Sequence, residues 1–337
     1  MKLVYLLILS ILCNSYGQQA DFLEIDFKKA DSVALSFQGE PLTNLPALTY
    51  NLTADFATDV EKFRSIYTWV CTNIENDYSS YLRTSNKRKK LAKDREGFLK
   101  WNQSFTPKVF EKLLETKKTA CTGYAYLIKE MANLAELQSE IVDGHGRTAT
   151  LKLNIDSNAN HSWNTVLLNK KWYLCDATWS AGLIIFEEDG PKFKSEYADG
   201  YFLADPSLFI KNHYPLKTKW ALLSNIPSFT EFLEGPIIYK DAFASNFIPI
   251  APLQMHVETL KNKPVAFDIT NADMLAEKDL SLLVIHNDSK TEIRPEIIAG
   301  DTKLTLKHSF ERTGSYDVHL RYKEAIMATY VVKVKRK

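Results

Sequence analysis

Between residues 59 and 74 the apolar positions fall at Val60, Phe63, Ile66, Tyr67, Val70 and Ile74. Steps of three and four residues line them up on one side of a helix, so a helix with that face buried is expected here. A second helix is expected to open at Thr106-Pro107, with Thr106 as N-cap, Pro107 at the first helical position, and Val109, Phe110, Leu113 and Leu114 as its apolar face. A third is expected to begin at or near Cys121, where Ala125, Leu127, Ile128, Met131, Leu134 and Leu137 give an apolar side. The stretch 83–97 is strongly basic, with Lys87, Arg88, Lys89 and Lys90 in a row, and is expected to be a solvated loop.

Downstream the pattern changes. Residues 140–142, 148–155, 162–168 and 171–176 read as strands, and helices followed by antiparallel strands argue for an α+β domain. The helical pattern ends near Asn225. Beyond Pro252 the chain alternates in the β manner, as in Val265-Ala266-Phe267-Asp268-Ile269 and Ser281-Leu282-Leu283-Val284-Ile285. Turn signals at Asn287-Asp288-Ser289 and Thr313-Gly314-Ser315 complete the expectation of a C-terminal β-sandwich of the Ig-like kind.

The N-terminus adds a compartment. Lys2 is followed by a short apolar run over residues 3–12, and Ser15 and Gly17 put small residues where a leader is cleaved. Residues 1–17 therefore read as a signal peptide, too short to span a membrane as a mature helix, with Gln18 as the new first residue. Acylation of Cys13 fits less well, because bulky Leu12 precedes it. The expected organisation is a signal peptide over 1–17, an α+β domain over 18–240 and a β-sandwich over 250–337. The mature protein is expected to be exported, whether periplasmic, cell-surface or secreted, without stable membrane insertion.

Charge excludes one class of partner. Lys plus Arg number 42 against 41 Asp plus Glu, and a net charge of +1 gives no electrostatic reason to expect nucleic acid. Without residues 1–17 the cysteines are Cys71, Cys121 and Cys175, an odd number, so at least one is not paired within the chain. A disulfide between Cys71 and Cys175 stays open at this point.

The chemistry is concentrated around residues 161–176. With Asn169-Lys170 as a two-residue turn, Leu168 faces Lys171 and Trp163 faces Asp176. Side chains alternate, so His161 and Trp163 share a face with Trp172, Leu174 and Asp176, and His161 lies diagonal to Asp176. Cys121 joins them if its helix packs against that face. A thiol at a helix N-terminus beside an imidazolium loses its proton more readily and becomes a nucleophile. The bland alternatives are a packing cysteine, a structural histidine beside tryptophan and an aspartate ending a strand. A metal site from Asp143, His145, His161 and Cys175 lacks tight ligand spacing.

Three motifs add a resemblance. Ala120-Cys121-Thr122-Gly123-Tyr124-Ala125, His161-Ser162-Trp163-Asn164-Thr165-Val166 and the segment Trp172-Tyr173-Leu174-Cys175-Asp176-Ala177-Thr178-Trp179 resemble, in order and spacing, the motifs of the transglutaminase-like superfamily. Ile66-Tyr67-Thr68-Trp69-Val70, Tyr201-Phe202-Leu203-Ala204-Asp205-Pro206 and His213-Tyr214-Pro215 look like its kyphoscoliosis-peptidase branch. The resemblance implies a papain-like α+β core with Cys121 as nucleophile, His161 as base and Asp176 as orienting acid. It implies amide chemistry on a protein or peptide (peptidase, deamidase or transglutaminase), and nothing in the sequence calls for a cofactor or a metal. Thr119-Ala120 stands where the family often has a basic residue or glycine. Some members of that branch have lost the cysteine, so a non-catalytic binding or scaffold protein on the same fold is the alternative.

Overall fold

The computed structural model describes residues 18–270 and 275–336, so the expected leader at 1–17 lies outside the described residues. Up to residue 181 the described residues form seven α-helices: α1 (Lys28–Ser36), α2 (Leu45–Thr53), α3 (Asp59–Asn73), α4 (Tyr78–Lys90), α5 (Arg95–Thr116), α6 (Cys121–Leu134) and the single turn α7 (Ala177–Ala181). At the start of α3, the Thr58 side chain accepts from the Glu61 N–H, and Asp59 and Glu61 place negative charge in the first turn. Phe63, Ile66, Tyr67, Trp69 and Val70 are all fully buried, and Arg64, Ser65 and Thr68 on the other side are buried too. The helix is therefore enclosed almost all round rather than on the single face its spacing suggested.

Three expectations are corrected here. The basic stretch is helical, forming the second half of α4 and, after a short break, the start of α5. Asp77 and Asp94 explain this, since each caps the helix that follows by accepting a backbone N–H, from Ser80 and from Gly97. Thr106-Pro107 does not open a helix but lies inside α5, where the Thr106 hydroxyl bonds back to the Asn102 carbonyl at 2.9 Å. Residues 148–155 form no strand. The strand before them, Ser139–Gly146, runs on past Val142, and the Asn160 side chain then closes it by bonding both the N–H and the C=O of Gly146.

Four antiparallel strands form the central sheet, in the order Lys171–Cys175, His161–Leu168, Ser139–Gly146, His213–Pro215. Asn169 and Lys170 both have positive φ, as a type I′ turn requires, and Leu168 pairs with Lys171 as expected. The sheet divides two cores. On one face Val166, Leu168, Tyr173 and Cys175 pack with Leu127, Ile128 and Met131 of α6 and with α3. On the other, Val142, Trp163 and Leu174 join a core that continues through Phe209 and Phe243 into the C-terminal strands.

Those strands make two facing sheets. One pairs Pro249–Ala251, Pro264–Thr270, Lys303–Ser309 and Glu296–Ala299; the other pairs His256–Leu260, Ala325–Lys335, Gly314–Tyr322, Leu280–His286 and Ser289–Ile293. Phe267, Ile269, Leu306, Val318, Leu320, Tyr330 and Val332 fill the space between them, fully buried. Asn287 and Asp288, flagged as a turn, both have positive φ and join Leu280–His286 to Ser289–Ile293. The short strand Ile237–Ile238 adds to Ala325–Lys335, tying the α+β part directly to the sandwich. No helix of the described residues is long and apolar enough to cross a membrane.

Arg64 locks the helical layer. Its guanidinium grips both oxygens of Asp31 on α1, at 2.6 and 2.9 Å, bonds Asp199, and lies over the Phe202 ring at 4.8 Å. The two carboxylates it serves are partly exposed, so water takes up some of the loss, and Arg64→Ala should lower unfolding free energy by about 1–3 kcal/mol in a urea titration. Arg64→Lys should recover only part, because an ammonium cannot reproduce the two-pronged contact.

Candidate functional site

The approach to α6 explains the position of Cys121. Lys118–Thr119 pairs in parallel with Glu75–Asn76, and Ala120 stays extended (φ −89, ψ 179) before the helix begins at Cys121. No side chain caps α6, so its first N–H groups and the positive end of its dipole are left for an anion. Gly123 is required by crowding: a Cβ there would lie 1.9 Å from Oγ1 of buried Thr119. Tyr124, completely buried, donates its hydroxyl to the Ile74 carbonyl at 2.5 Å and so ties the first turn of α6 to the end of α3.

The hairpin delivers its two residues as the spacing implied. His161 Nε2 lies 2.7 Å from Asp176 Oδ2. The paired register stops at Asn164 opposite Cys175, however, and Asp176 leaves the strand to become the N-cap of α7. Its Oδ1 accepts the N–H groups of Thr178 (2.8 Å) and Trp179 (3.1 Å).

Cys121 arrives from an unexpected side. Its helix packs on the face carrying Asn164 and Val166, where Asn164 Nδ2 donates to the Ala125 carbonyl, and not on the face of Trp163 and Asp176. The thiol meets His161 around the end of the strand. There the His161 ring and the Ser162 N–H are close enough to favour its ionised form. With Nε2 committed to Asp176, Nδ1 is the ring nitrogen facing sulfur. Cys121 and His161 are each 7% exposed, which leaves only a narrow opening to solvent.

Electrostatics follow from these contacts. Burial raises the Cys121 pKa, but the His161 bond and charge, the Ser162 N–H and the positive charge of Arg88 outweigh it, and the thiol is shifted down. Burial lowers the His161 pKa, and the Asp176 carboxylate together with Cys121 reverses this and shifts the ring up. Burial likewise works against the Asp176 charge, yet His161, His213 and their hydrogen bonds hold the carboxyl well below its ordinary range. All three directions favour the charged forms: thiolate, imidazolium and carboxylate.

His213 is the residue that sequence reasoning missed. It lies on the edge strand next to Gly146, and its Nε2 is 2.9 Å from the same Asp176 Oδ2. Its ring stacks on Phe209 at 4.0 Å and meets Trp179 at 4.3 Å and Trp163 at 5.1 Å. Burial pushes its pKa down to about 4, beyond what Asp176 restores, so the ring is neutral at pH 7. A neutral ring donating Nε2–H to Asp176 needs a donor at Nδ1, where the Asn212 side-chain amide lies 2.5 Å away. The network closes when Asn212 turns its amino group to the ring, which also gives a partner to an Nδ2 that otherwise has none. The only hint in the sequence was that His213 falls within one of the family-like segments.

The other candidates separate. Among the described residues, the group whose ligand atoms converge is His161, Asp176 and His213. Their separations are those of hydrogen bonds, and both Nε2 atoms point at one carboxylate oxygen. Asp143 accepts from Ser162 Oγ, and His145 packs against Phe229. Cys71, Cys121 and Cys175 are all free and buried, so the disulfide left open is not formed. Trp179 stacks on His161 at 5.1 Å, whereas Tyr124 and Trp163 are core.

His213 makes the acid limb of stability testable. Between about pH 6.5 and 4 the unfolded chain takes up a proton that folded His213 refuses, so stability falls as pH drops through that window. His213→Gln keeps a donor without a titration and should flatten this limb in Tm measured against pH. His213→Phe removes the donor, leaves Asp176 short of a partner, and should cost about 1–3 kcal/mol at pH 7.

Several known proteins are similar to this chain. Residues 46–177 match the family model of the Transglutaminase-like superfamily. Human kyphoscoliosis peptidase is 32% identical over 235 residues, which cover 69% of this chain and 31% of that protein. Hillarin of Drosophila melanogaster is 27% identical over 225 residues, 64% of this chain and 25% of that protein. The chain spans about a third or less of the length of these curated relatives. Among solved structures, a TGase crystal structure is 14% identical over 48% of this chain and 35% of that one, with a TM-score of 0.26. The Lin-41 filamin domain is 14% identical over 31% of this chain and 99% of that one, with a TM-score of 0.22. With the family match running from α2 through Cys121 and His161 to Asp176, this chain belongs to the transglutaminase-like superfamily.

Proposed function

We propose that this protein is an exported thiol enzyme acting on amide bonds of proteins or peptides, with Cys121, His161 and Asp176 as its catalytic triad. The observation that carries the reading is the 2.7 Å bond from Asp176 to a His161 ring that in turn favours the Cys121 thiolate, at an uncapped helix N-terminus. Export rests on the leader-like residues 1–17 and is tested by finding Gln18 as the first residue of the protein recovered outside the cytoplasm.

In this mechanism the Cys121 thiolate adds to the amide carbonyl carbon. The charge that moves to oxygen is met by the free N–H groups at the start of α6. As the intermediate collapses, the C–N bond breaks, His161 gives its Nδ1 proton to the departing amine, and a thioester remains on Cys121. A second nucleophile then loses its proton to His161 and attacks the thioester, and the C–S bond breaks to restore the thiolate. Water in that role gives hydrolysis, and a primary amine gives transfer. Asp176 holds the ring with Nδ1 towards sulfur throughout. The name of the human and mouse relatives, kyphoscoliosis peptidase, supports hydrolysis as the first activity to assay.

The decisive measurement is the pH profile of Cys121 alkylation by iodoacetamide, with the labelled site read by mass spectrometry. The half-maximal rate should fall below about pH 8.5, the ordinary thiol value, and rapid labelling should persist at pH 6. His161→Ala should move the midpoint upward and slow labelling at pH 6. Labelling at an ordinary thiol's rate, indifferent to His161, would leave the non-catalytic reading. Once labelling is fast, glutamine peptides assayed with and without a primary amine separate hydrolysis from transfer.

A further inference from the structure

Beside Cys121 there is a cavity that no catalytic role explains. Helices α4 and α5 and the first turn of α6 enclose about 410 Å³, well within the roughly 300–1,000 Å³ of ligand pockets. Ser80, Thr84, Lys87 and Arg88 reach it from α4 at helical spacing, and Trp101, Phe105 and Val109 from α5 likewise. Ala120 and Thr122, which bracket Cys121, are part of its wall. The charge of Arg88 also reaches the Cys121 sulfur and favours its thiolate, so cavity and thiol are neighbours.

The lining has two unmet needs. The first is apolar. Trp101 stacks on Phe105 at 4.8 Å and Phe110 meets Tyr126 at 6.0 Å, yet all four remain half-buried, and on α5 only Leu113 is fully buried. The second is charge. The wall carries six cationic side chains and no carboxylate. Lys112 and Lys118 are paired, with Asp77 and Glu75, and Arg83 approaches Asp77. Lys87, Arg88 and Lys108 have no carboxylate within 4 Å among the described residues, and Arg88 Nε is buried without a hydrogen-bond partner. A buried donor with no acceptor is costly and is satisfied when a ligand supplies one.

We propose that this cavity is the subsite that selects the acyl-donor peptide, taking a large apolar side chain flanked by a carboxylate near the amide that reacts at Cys121. The apolar side chain packs among Trp101, Phe105, Val109 and Tyr126, and the carboxylate meets Arg88 with Lys87 or Lys108. This deepens the thiol-enzyme reading and rests on it. A peptide fits better than a plain polyanion, because the cations border an aromatic floor rather than a continuous charged groove.

The test is calorimetric titration of the full chain carrying Cys121→Ala with the blocked peptide N-acetyl-Glu-Phe-Glu-amide. Two control peptides replace both glutamates by lysine, or the phenylalanine by alanine. Each control should bind at least about tenfold more weakly, the worth of one charge-assisted hydrogen bond or one buried ring. Adding Arg88→Gln should cost the acidic peptide about tenfold, and adding Lys87→Glu with Lys108→Glu should turn the preference towards the lysine peptide. Thermal melts establish that these variants fold. Equal binding of all three peptides, no binding of any, or a preference that survives both sets of variants would overturn the proposal. So would inorganic tripolyphosphate displacing the acidic peptide while the phenylalanine makes no difference. Iodoacetamide labelling of the wild-type thiol, run in parallel, separates the two readings. Fast labelling without peptide preference overturns the subsite alone. Slow labelling with the preference intact supports the peptide subsite and overturns the enzyme.

Discussion

A buried carboxylate sets the terms for the rest of the site. Asp176 has no solvent exposure, and an ionised carboxylate in that position is strongly unfavourable unless its lone pairs are met. Four donors meet them: two backbone N–H groups at the start of α7, the His161 ring and the His213 ring. They come from three different parts of the chain. The hairpin must end where it does, α7 must turn immediately after it, and the edge strand must return some forty residues later with a histidine facing inward. The surrounding Trp163, Trp179 and Phe209 exclude water, and in that low-dielectric setting every one of these bonds is strengthened. The two histidines divide the work. One is charged and belongs to the thiol; the other is neutral and keeps the carboxylate in place.

The central sheet acts as a partition, and the site lies at its end for that reason. Helical packing fills one face and the sandwich-side core fills the other, so neither face has room for a substrate. Only at the end of His161–Leu168 can a side chain from the helical layer meet side chains from the opposite face. Cys121 and Asp176 approach His161 from the two sides of that end, and the two ring nitrogens match this arrangement. The Ser162 N–H, at the same end of the strand, adds to what favours an ionised sulfur.

How much of this was legible in the sequence follows from the range of the interactions involved. Local signals survived well. The α3 spacing, the helix start at Cys121, the two-residue turn at Asn169-Lys170 and the His161–Asp176 diagonal are all decided within about fifteen residues, where periodicity and turn chemistry act. Competing local signals were misread. Thr106-Pro107 has the chemistry of a helix start, but Asp94 caps the helix twelve residues earlier and α5 runs through the proline. The basic run looked like a loop because its charges have little apolar company, although Asp77 nucleates a helix through it. Non-local facts were out of reach. Nothing in local spacing announces that His213 returns to Asp176, or which face of the sheet α6 covers.

The contrast between the thiol's surroundings and the cavity beside it carries a mechanistic consequence. Cys121, His161, Asp176 and His213 sit on strands and helix starts that are buried and bonded from several directions, which is what a reaction needs from groups that must hold sub-ångström geometry. On α4 no residue is fully buried and on α5 only Leu113 is, so the layer they form has little packing of its own to define it. Such a layer can change its side chains without disturbing the carboxylate network. Arg88 links the two regions, because its charge favours the thiolate while its guanidinium faces the cavity. A carboxylate bound there neutralises part of the field on Cys121, raising the thiol's pKa and with it the nucleophilicity of the sulfur that remains ionised. On the proposed reading, a peptide carboxylate that meets Arg88 therefore touches the least of the influences on Cys121, and the thiol stays governed by His161.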